Sequence, residues 1–293
     1  MLAIGVDVGG TSIKSALIEI GDKKVAESYK ILKFNSLPTQ AQEGRDTVVG
    51  NIIKSIEAFD WQECDIIAVA SAGTIDWNSG DVVYATNSLP GFTGLKLSKT
   101  LSEHFSRRIV AINDAVGALV GEGFVGAGRK ADSAMMFTLG TGLGVSFLKD
   151  KNLDSQSVID TRLGHYKLYE DGRGCACGEK GCAERYVSAT ALKKYGNDNL
   201  YQLFTSSDIT QKTVLSNFYK DFTNVILRAI QLYSPNLIIV GGGVIEMAEY
   251  WWQSFLKEYK SKTSTPIVCA SLGNKAGVLG VVYAMANGVF ENQ

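Results

Sequence analysis

A mixed α/β protein in two similar halves is what the sequence predicts, and three observations predict it. A strand, a glycine bend and a second strand are spelled out twice, at 2–18 and again at 133–148. Two continuous apolar runs, DIIAVASAG at 65–73 and NLIIVGGG at 236–243, have the composition of strands buried on both faces of a parallel sheet. Amphipathic helical periods lie between such runs, the alternation of a chain that builds βα units.

The first hairpin reads LAIGVDVGGTSIK at 2–14. Apolar residues lead up to Asp7, then Gly9, Gly10 and Thr11 form the bend, and Ile13, Ala16, Leu17 and Ile18 resume the strand. A bend without Cβ atoms lets backbone N–H groups approach a phosphate closely. Asp7 at the strand end can hold Mg²⁺ through its waters, with the Thr11 hydroxyl and the Lys14 ammonium near the same place. The same residues also suit an ordinary Gly-Gly hairpin with an acid in its turn. What tilts the reading is the repeat: SAMMFTLGTGLGVSFL at 133–148 is again strand, glycine bend and strand, as in an internal duplication. Two α/β halves facing one another are expected, with a nucleotide phosphate between Gly9-Gly10-Thr11 and Gly140-Thr141-Gly142. Neither bend is a GxxxxGK[ST] loop, and neither is a GxGxxG opening a helix.

At 293 residues the length suits two domains, and 45% apolar residues can fill a core in each. Basic and acidic residues number 29 and 30, and no run of Lys and Arg exceeds two, so the charge footprint of a nucleic-acid or membrane-surface binder is missing. Partners are expected to be small molecules. No basic segment precedes the first apolar run, an acid stands at position 7, and no stretch of about 18 uncharged apolar residues exists, which predicts a cytosolic protein without a membrane span.

In chain order, a polar segment through Gly44 precedes Val48, Val49, Ile52, Ile53, Ile56 and Phe59 at helical spacing, with Asp46 as N-cap. A loop over 74–94 leads to a helix bearing Leu97, Leu101 and Phe105. Residues 108–112 read as a short buried strand, and Asn113-Asp114 stand where it gives way to a small-residue helix, the place where open α/β sheets put ligand chemistry. Asp114 there also suits a plain N-cap. Residues 183–195 read as a helix, a longer one starts near Thr210 and carries Phe218, Phe222 and Val225, and a last apolar helix starts near Ala276. Gly242, in the triple glycine after the run at 236–243, lets backbone approach a ligand such as a nucleoside.

Three of the five cysteines fall at 175, 177 and 182, in HYKLYEDGRGCACGEKGC at 165–182. His165, Cys175, Cys177 and Cys182 make a complete Cys₃His set for a structural zinc, with glycines at 172, 174, 178 and 181 permitting the turns. Free thiols this close in an exposed loop would be open to oxidation. Cys64 and Cys269 stand alone and suit a core, and His104 suits an exposed helix face.

DVGGT at 7–11, ATNSLPGF at 85–92, IND at 112–114, LGTGLG at 139–144, GH at 164–165, CACGEKGCAE at 175–184 and GGG at 241–243 together resemble the ROK family of sugar kinases and sugar-responsive repressors. The resemblance spans nearly the whole chain. It implies a two-lobed, actin-like (ribonuclease H-like) ATPase fold with an interlobe cleft, here lobes 1–113 and 114–293 with the final helix packing back on the first. It also implies ATP and Mg²⁺, transfer of the γ-phosphoryl group to a sugar hydroxyl, and a homodimer. Asp114 falls on the family's base, and Gly73, Asn87, Asn113, His165 and Glu184 on positions near the sugar, with His165 using its second ring nitrogen for zinc. There are two departures. The family usually has Glu two residues before its Gly-His pair, accepting sugar hydroxyls, where this chain has Arg162, all donors and no acceptor. The usual Gly-Ile-Pro-Gly-Pro reads Ala70-Ser71-Ala72-Gly73-Thr74. A rival reading is a non-catalytic sugar sensor. Its repressor form needs a DNA-binding segment ahead of Asp7, where six residues stand, and its pseudokinase form needs a lost base or glycine bend, whereas all remain.

Overall fold

The structure, a computed structural model, describes residues 1–152 and 158–289. The chain divides into two units: Met1–Lys130 joined by the segment from Asn274, and Ala131–Lys151 joined by Ile159–Gly273.

In the first unit the elements are β1 (Leu2–Val8), β2 (Ser12–Ile20), β3 (Tyr29–Pro38), α1 (Arg45–Glu57), β4 (Ile66–Ser71), the short pair β5 (Thr74–Ile75) and β6 (Val82–Tyr84), α2 (Leu97–Phe105), β7 (Val110–Asn113) and α3 (Asp114–Phe124). Its sheet runs β3-β2-β1-β4-β7, with β2 antiparallel to both neighbours and β1, β4 and β7 parallel. One core gathers Ile4, Val6 and Ile13 with Val48, Ile52 and Ile56 of α1 and Leu101 and Phe105 of α2. Elsewhere the sheet meets α3 and the closing helix, Ala276–Ala286, almost backbone to backbone: a Cβ on Gly5 would overlap the Val278 carbonyl, and one on Gly280 the Gly117 carbonyl. This glycine-mediated packing keeps α3 in the first unit, so the division falls at 130/131, beyond the 113/114 boundary read from the sequence.

The second unit comprises β8 (Ala134–Leu139), β9 (Leu143–Leu148), β10 (Val158–Asp160), α4 (Ala189–Tyr195), α5 (Leu200–Thr205), α6 (Ile209–Tyr233), β11 (Leu237–Gly241), α7 (Ala248–Lys260) and β12 (Ile267–Cys269). Its sheet runs β10-β9-β8-β11-β12, the same plan as the first: three successive strands, then two reached by crossovers. Both buried runs, β4 and β11, lie parallel to the first strand of their hairpin, as their composition predicts. The core is aromatic, with Phe137, Phe218, Phe222, Trp251 and Phe255 buried and the Phe222 and Phe255 rings stacked at 5.0 Å. Each such side chain contributes on the order of 1.5–3 kcal/mol through its burial.

Four local expectations change. β3 is a strand inside the segment read as polar; it is an edge strand with mostly exposed side chains, so it shows little apolar alternation. The N-cap of α1 is Gly44, at φ +96°, and Asp46 lies in the first helical turn. The expected helix over 183–195 is a single turn at Ala183–Arg185 followed by α4, because the Ser188 hydroxyl caps α4 by accepting from the Ala191 N–H. α7 is absent from the expectations although Trp251, Phe255 and Tyr259 recur at i, i+4, i+8 and are buried. Among the described residues no helix is long and apolar enough to cross a membrane.

Candidate active site

In the first unit the strands β1, β4 and β7 end together, and the functional candidates stand at those ends. Asp7 pairs with Lys14 across the hairpin and with Ala70 on β4, while Ser71 pairs with Asn113 on β7. The bend after β1 is fastened from outside: Thr39 donates its hydroxyl to the Gly9 carbonyl at 2.6 Å and its N–H to the Thr11 carbonyl at 3.0 Å. Gly10 is there for space, since a Cβ would lie 3.1 Å from that of Ser88. Thr11 is exposed, and Lys14 donates to the Asn274 side chain at 2.9 Å.

Asp114 opens α3, yet the cap is Asn113, whose Oδ1 accepts from the Val116 N–H at 3.0 Å. The plain-cap reading of Asp114 is therefore overturned, because its neighbour fills that role. The Asn113 amide donates to the Gly73 carbonyl at 2.7 Å and to Asp114 Oδ1 at 3.1 Å, and the Ala115 N–H donates to the same oxygen at 2.8 Å. Gly73 sits at φ +111°, where a Cβ would press on the Tyr84 carbonyl at 2.8 Å, so only glycine presents its carbonyl to Asn113 without strain. Asn87 is exposed on its loop.

Burial pushes the Asp7 carboxyl up to about 7, the Asp114 charge adds to the rise, and Lys14 opposes it. Its carboxyl lies against Gly277 in the first turn of the closing helix, where a Cβ would stand 2.8 Å from Asp7 Cγ. A carboxylate held up by burial and by a like charge is one that a cation would relieve, so Asp7 suits the Mg²⁺ role. Nothing in the sequence marks Gly277, which lies inside an apolar helix.

In the second unit the bend Gly140-Thr141-Gly142 joins β8 to β9, with the Ala189 N–H donating to the Gly140 carbonyl at 2.8 Å and Thr141 exposed. A Cβ on Gly142 would meet Glu184 Oε2 at 2.8 Å, so the bend rests on that carboxylate. Gly242, at φ +88°, packs on the Leu139 backbone.

The four candidate metal ligands do converge: His165, Cys175, Cys177 and Cys182 place one donor atom each within 4.8 Å of one another. Cys177 and Cys182 sulfurs are 3.6 Å apart, and Cys175 Sγ is 3.7 Å from His165 Nδ1. A tetrahedron with Zn–S bonds of about 2.3 Å has edges of about 3.8 Å, so the set fits zinc. Burial pushes the Cys175 thiol up, and it donates to Glu184 Oε1 at 2.9 Å. Since Nδ1 of His165 faces the sulfurs, Nε2 is left on the far side of an exposed ring. Arg162 caps the short turn Leu163–His165 at φ +51° and is exposed, its carbonyl accepting from the His165 N–H at 2.9 Å.

A family model described as the ROK family matches residues 3–287. A glucokinase from Thermotoga maritima is 29% identical, the alignment covering 94% of this chain and 95% of that protein. An N-acetylmannosamine kinase from Haemophilus influenzae is 24% identical, with 97% and 95% covered. The crystal structure of a ROK family glucokinase from Streptomyces griseus, in complex with glucose and AMPPNP, matches with a TM-score of 0.77 at 24% identity, covering 96% of this chain and 98% of that one. The shared fold is the two-lobed actin-like ATPase fold, in keeping with the doubled sheet plan. With its model matching nearly from end to end, the chain belongs to the ROK family.

Proposed function

We propose that this ROK carbohydrate kinase transfers the γ-phosphoryl group of Mg-ATP to a hydroxyl of a hexose or hexose derivative, with Asp114 as the general base. The observation that carries this is the placement of Asp114: it opens α3 at the end of β7, Asn113 caps the helix in its stead, and Asp114 Oδ1 accepts from the Asn113 amide and the Ala115 N–H, which orients the carboxyl. Relatives named glucokinase and N-acetylmannosamine kinase support the substrate class.

In this reading Asp7 and Lys14 would hold the metal and phosphate charge and the N–H groups of Gly10, Thr11, Thr141 and Gly142 would cradle phosphate oxygens; Gly9 and Gly140 shape the bends, their own N–H groups donating to the Ser12 and Gly142 carbonyls at 3.0 and 3.1 Å, and Gly242 would adjoin the nucleoside. Mg-ATP supplies the phosphoryl group and the counter-charge for its oxygens. Gly73, Asn87, Asn113, His165 Nε2 and Glu184 orient the sugar. Asp114 takes the proton of the attacking hydroxyl, a contribution of roughly 10²–10⁴-fold. His165 Nδ1 with Cys175, Cys177 and Cys182 holds a structural zinc that fixes the imidazole. A cytosolic location and a homodimer belong to the same reading.

The testing experiment is a coupled assay of Mg-ATP against a panel of sugars, with no turnover on any sugar as the result that overturns the proposal. Arg162 sets the expected ranking. An arginine where the family carries glutamate deprives sugar hydroxyls of an acceptor and favours a sugar offering a carbonyl, carboxylate or glycosidic oxygen, through a charge-assisted bond of about 1.5–3 kcal/mol. Glucose should rank low, and Arg162→Glu should raise kcat/KM for glucose at least about tenfold. An unchanged ranking in that variant would remove Arg162 from substrate selection.

A further inference from the structure

The loop that carries the zinc ligands is tied down by a second set of contacts that involves neither metal nor glycine bend. Asp221 lies on the apolar face of α6, between Phe218 and Val225, and is 6% exposed. Tyr169, which sits between His165 and Cys175 in sequence, donates its hydroxyl to Asp221 Oδ1 at 2.6 Å. Four residues on, the Arg173 guanidinium lies 3.5 Å from the centre of the Tyr195 ring on α4 and 4.4 Å from that of Tyr186. Arg173 also donates its backbone N–H to the Tyr186 hydroxyl at 2.7 Å and a guanidinium N–H to the Arg185 carbonyl at 2.8 Å. The Tyr169 and Tyr186 rings meet at 4.7 Å and close the set. The chemistry is consistent: burial drives the Asp221 carboxyl up, and the Tyr169 hydroxyl and the Arg173 charge act against it.

These residues bracket the zinc ligands. Tyr169 and Arg173 stand between His165 and Cys175, and Arg185 and Tyr186 directly follow Glu184. The loop's own ladder leaves no slack, since Leu168 donates to the Gly181 carbonyl and Gly181 donates to the Arg173 carbonyl, both at 2.8 Å, and a Cβ on Gly181 would overlap the Tyr169 carbonyl. A shift of Arg173 or Tyr169 is therefore passed to both ends of the ligand set and to Glu184.

We propose that Tyr169, Arg173 and Asp221 form a latch, anchored on α4 and α6, that positions the Cys₃His loop and, through it, His165 and Glu184 toward the sugar. Its effect on the sugar rests on the kinase reading above; its effect on the loop does not. The guanidinium is needed as a planar group that stacks on one ring while its fork donates, which lysine does not reproduce.

The test uses Tyr169→Phe and Arg173→Lys in the full-length protein. Amide hydrogen exchange at Leu168 and Gly181 should quicken at least tenfold in both variants, with the β8–β11 amides unchanged as proof that the unit is folded. Transfer of bound zinc to a chromogenic chelator should quicken by a similar factor. On the best sugar of the panel, KM for the sugar should rise at least fivefold while kcat and KM for Mg-ATP stay within twofold, a split that general loosening would not give. The two failures are distinct. A parent inactive on every sugar overturns the kinase reading and with it the sugar-positioning role, and an active parent whose variants keep parental loop exchange or parental sugar KM overturns the latch alone.

Discussion

Asp114→Asn should lower kcat at least about 100-fold while leaving the fold and the KM for Mg-ATP near parental values. Asparagine keeps an oxygen at Oδ1, so the bonds from the Asn113 amide and the Ala115 N–H survive, and α3 keeps its cap because that belongs to Asn113. What is lost is the capacity to accept the hydroxyl proton, and a positioned base contributes roughly 10²–10⁴-fold. A second readout comes from the pairing with Asp7, which Asp114 helps to hold up to about 7. Asp7 must be ionised to hold a cation, so in the parent a proton competes below about pH 7 and the KM for Mg-ATP rises as pH falls through that range. Removing the like charge lowers the Asp7 pKa, and the rise should begin at a lower pH in the variant. Steady-state kinetics between pH 5.5 and 8.5 check both. Turnover within a few-fold of the parent would take the base role from Asp114, and an unmoved acid limb would show that the two carboxyls do not communicate.

Much of this site was legible because its signals are local. A glycine bend after an alternating run states its own geometry within a dozen residues, which is why β1, β2, β8 and β9 and the ligand spacing of the zinc loop could be read directly. The division of the chain was not, because it depends on α3 meeting the closing helix through Gly117, Gly121, Gly277 and Gly280, about 160 residues apart in sequence, and a glycine in an apolar helix does not announce its partner. Nor could residue type decide between Asn113 and Asp114, since either side chain caps a helix and only the turn from β7 sets which one faces the free N–H groups. Asp221 is different. An acid flanked by Phe218, Phe222 and Val225 on the apolar face of a helix is a readable anomaly, since a buried carboxylate needs a partner. The partner, Tyr169, lies 52 residues away and only the fold supplies it.

Removing the metal should then act on one loop and on the substrate together. Metal analysis of freshly purified protein should find one zinc per chain, and Cys177→Ser or strong chelation should lower the thermal midpoint and raise the sugar KM in parallel. Cys177 is exposed, so the substitution itself opens no cavity and the effect reports on the metal. Zinc sites contribute apparent binding energies of about 10–16 kcal/mol in small peptides. The cost here is smaller, because Leu163, Ala183 and Val187 anchor both ends of the loop in the hydrophobic core and the Tyr169–Asp221 bond remains. The sugar effect should be the larger one, on the order of 10–100-fold, as for groups that orient a ligand through their second hydrogen bond. It arises because His165 loses the partner on Nδ1 that fixes its ring, and because the Cys175 thiol, no longer a metal-bound thiolate, competes for Glu184 Oε1 at 2.9 Å. The KM for Mg-ATP should stay within twofold, since the bend at 140–142 keeps its backbone bond to Ala189. Protein that arrives without zinc would sink the metal assignment, and a variant that loses zinc yet keeps its sugar KM would confine the site to holding the loop.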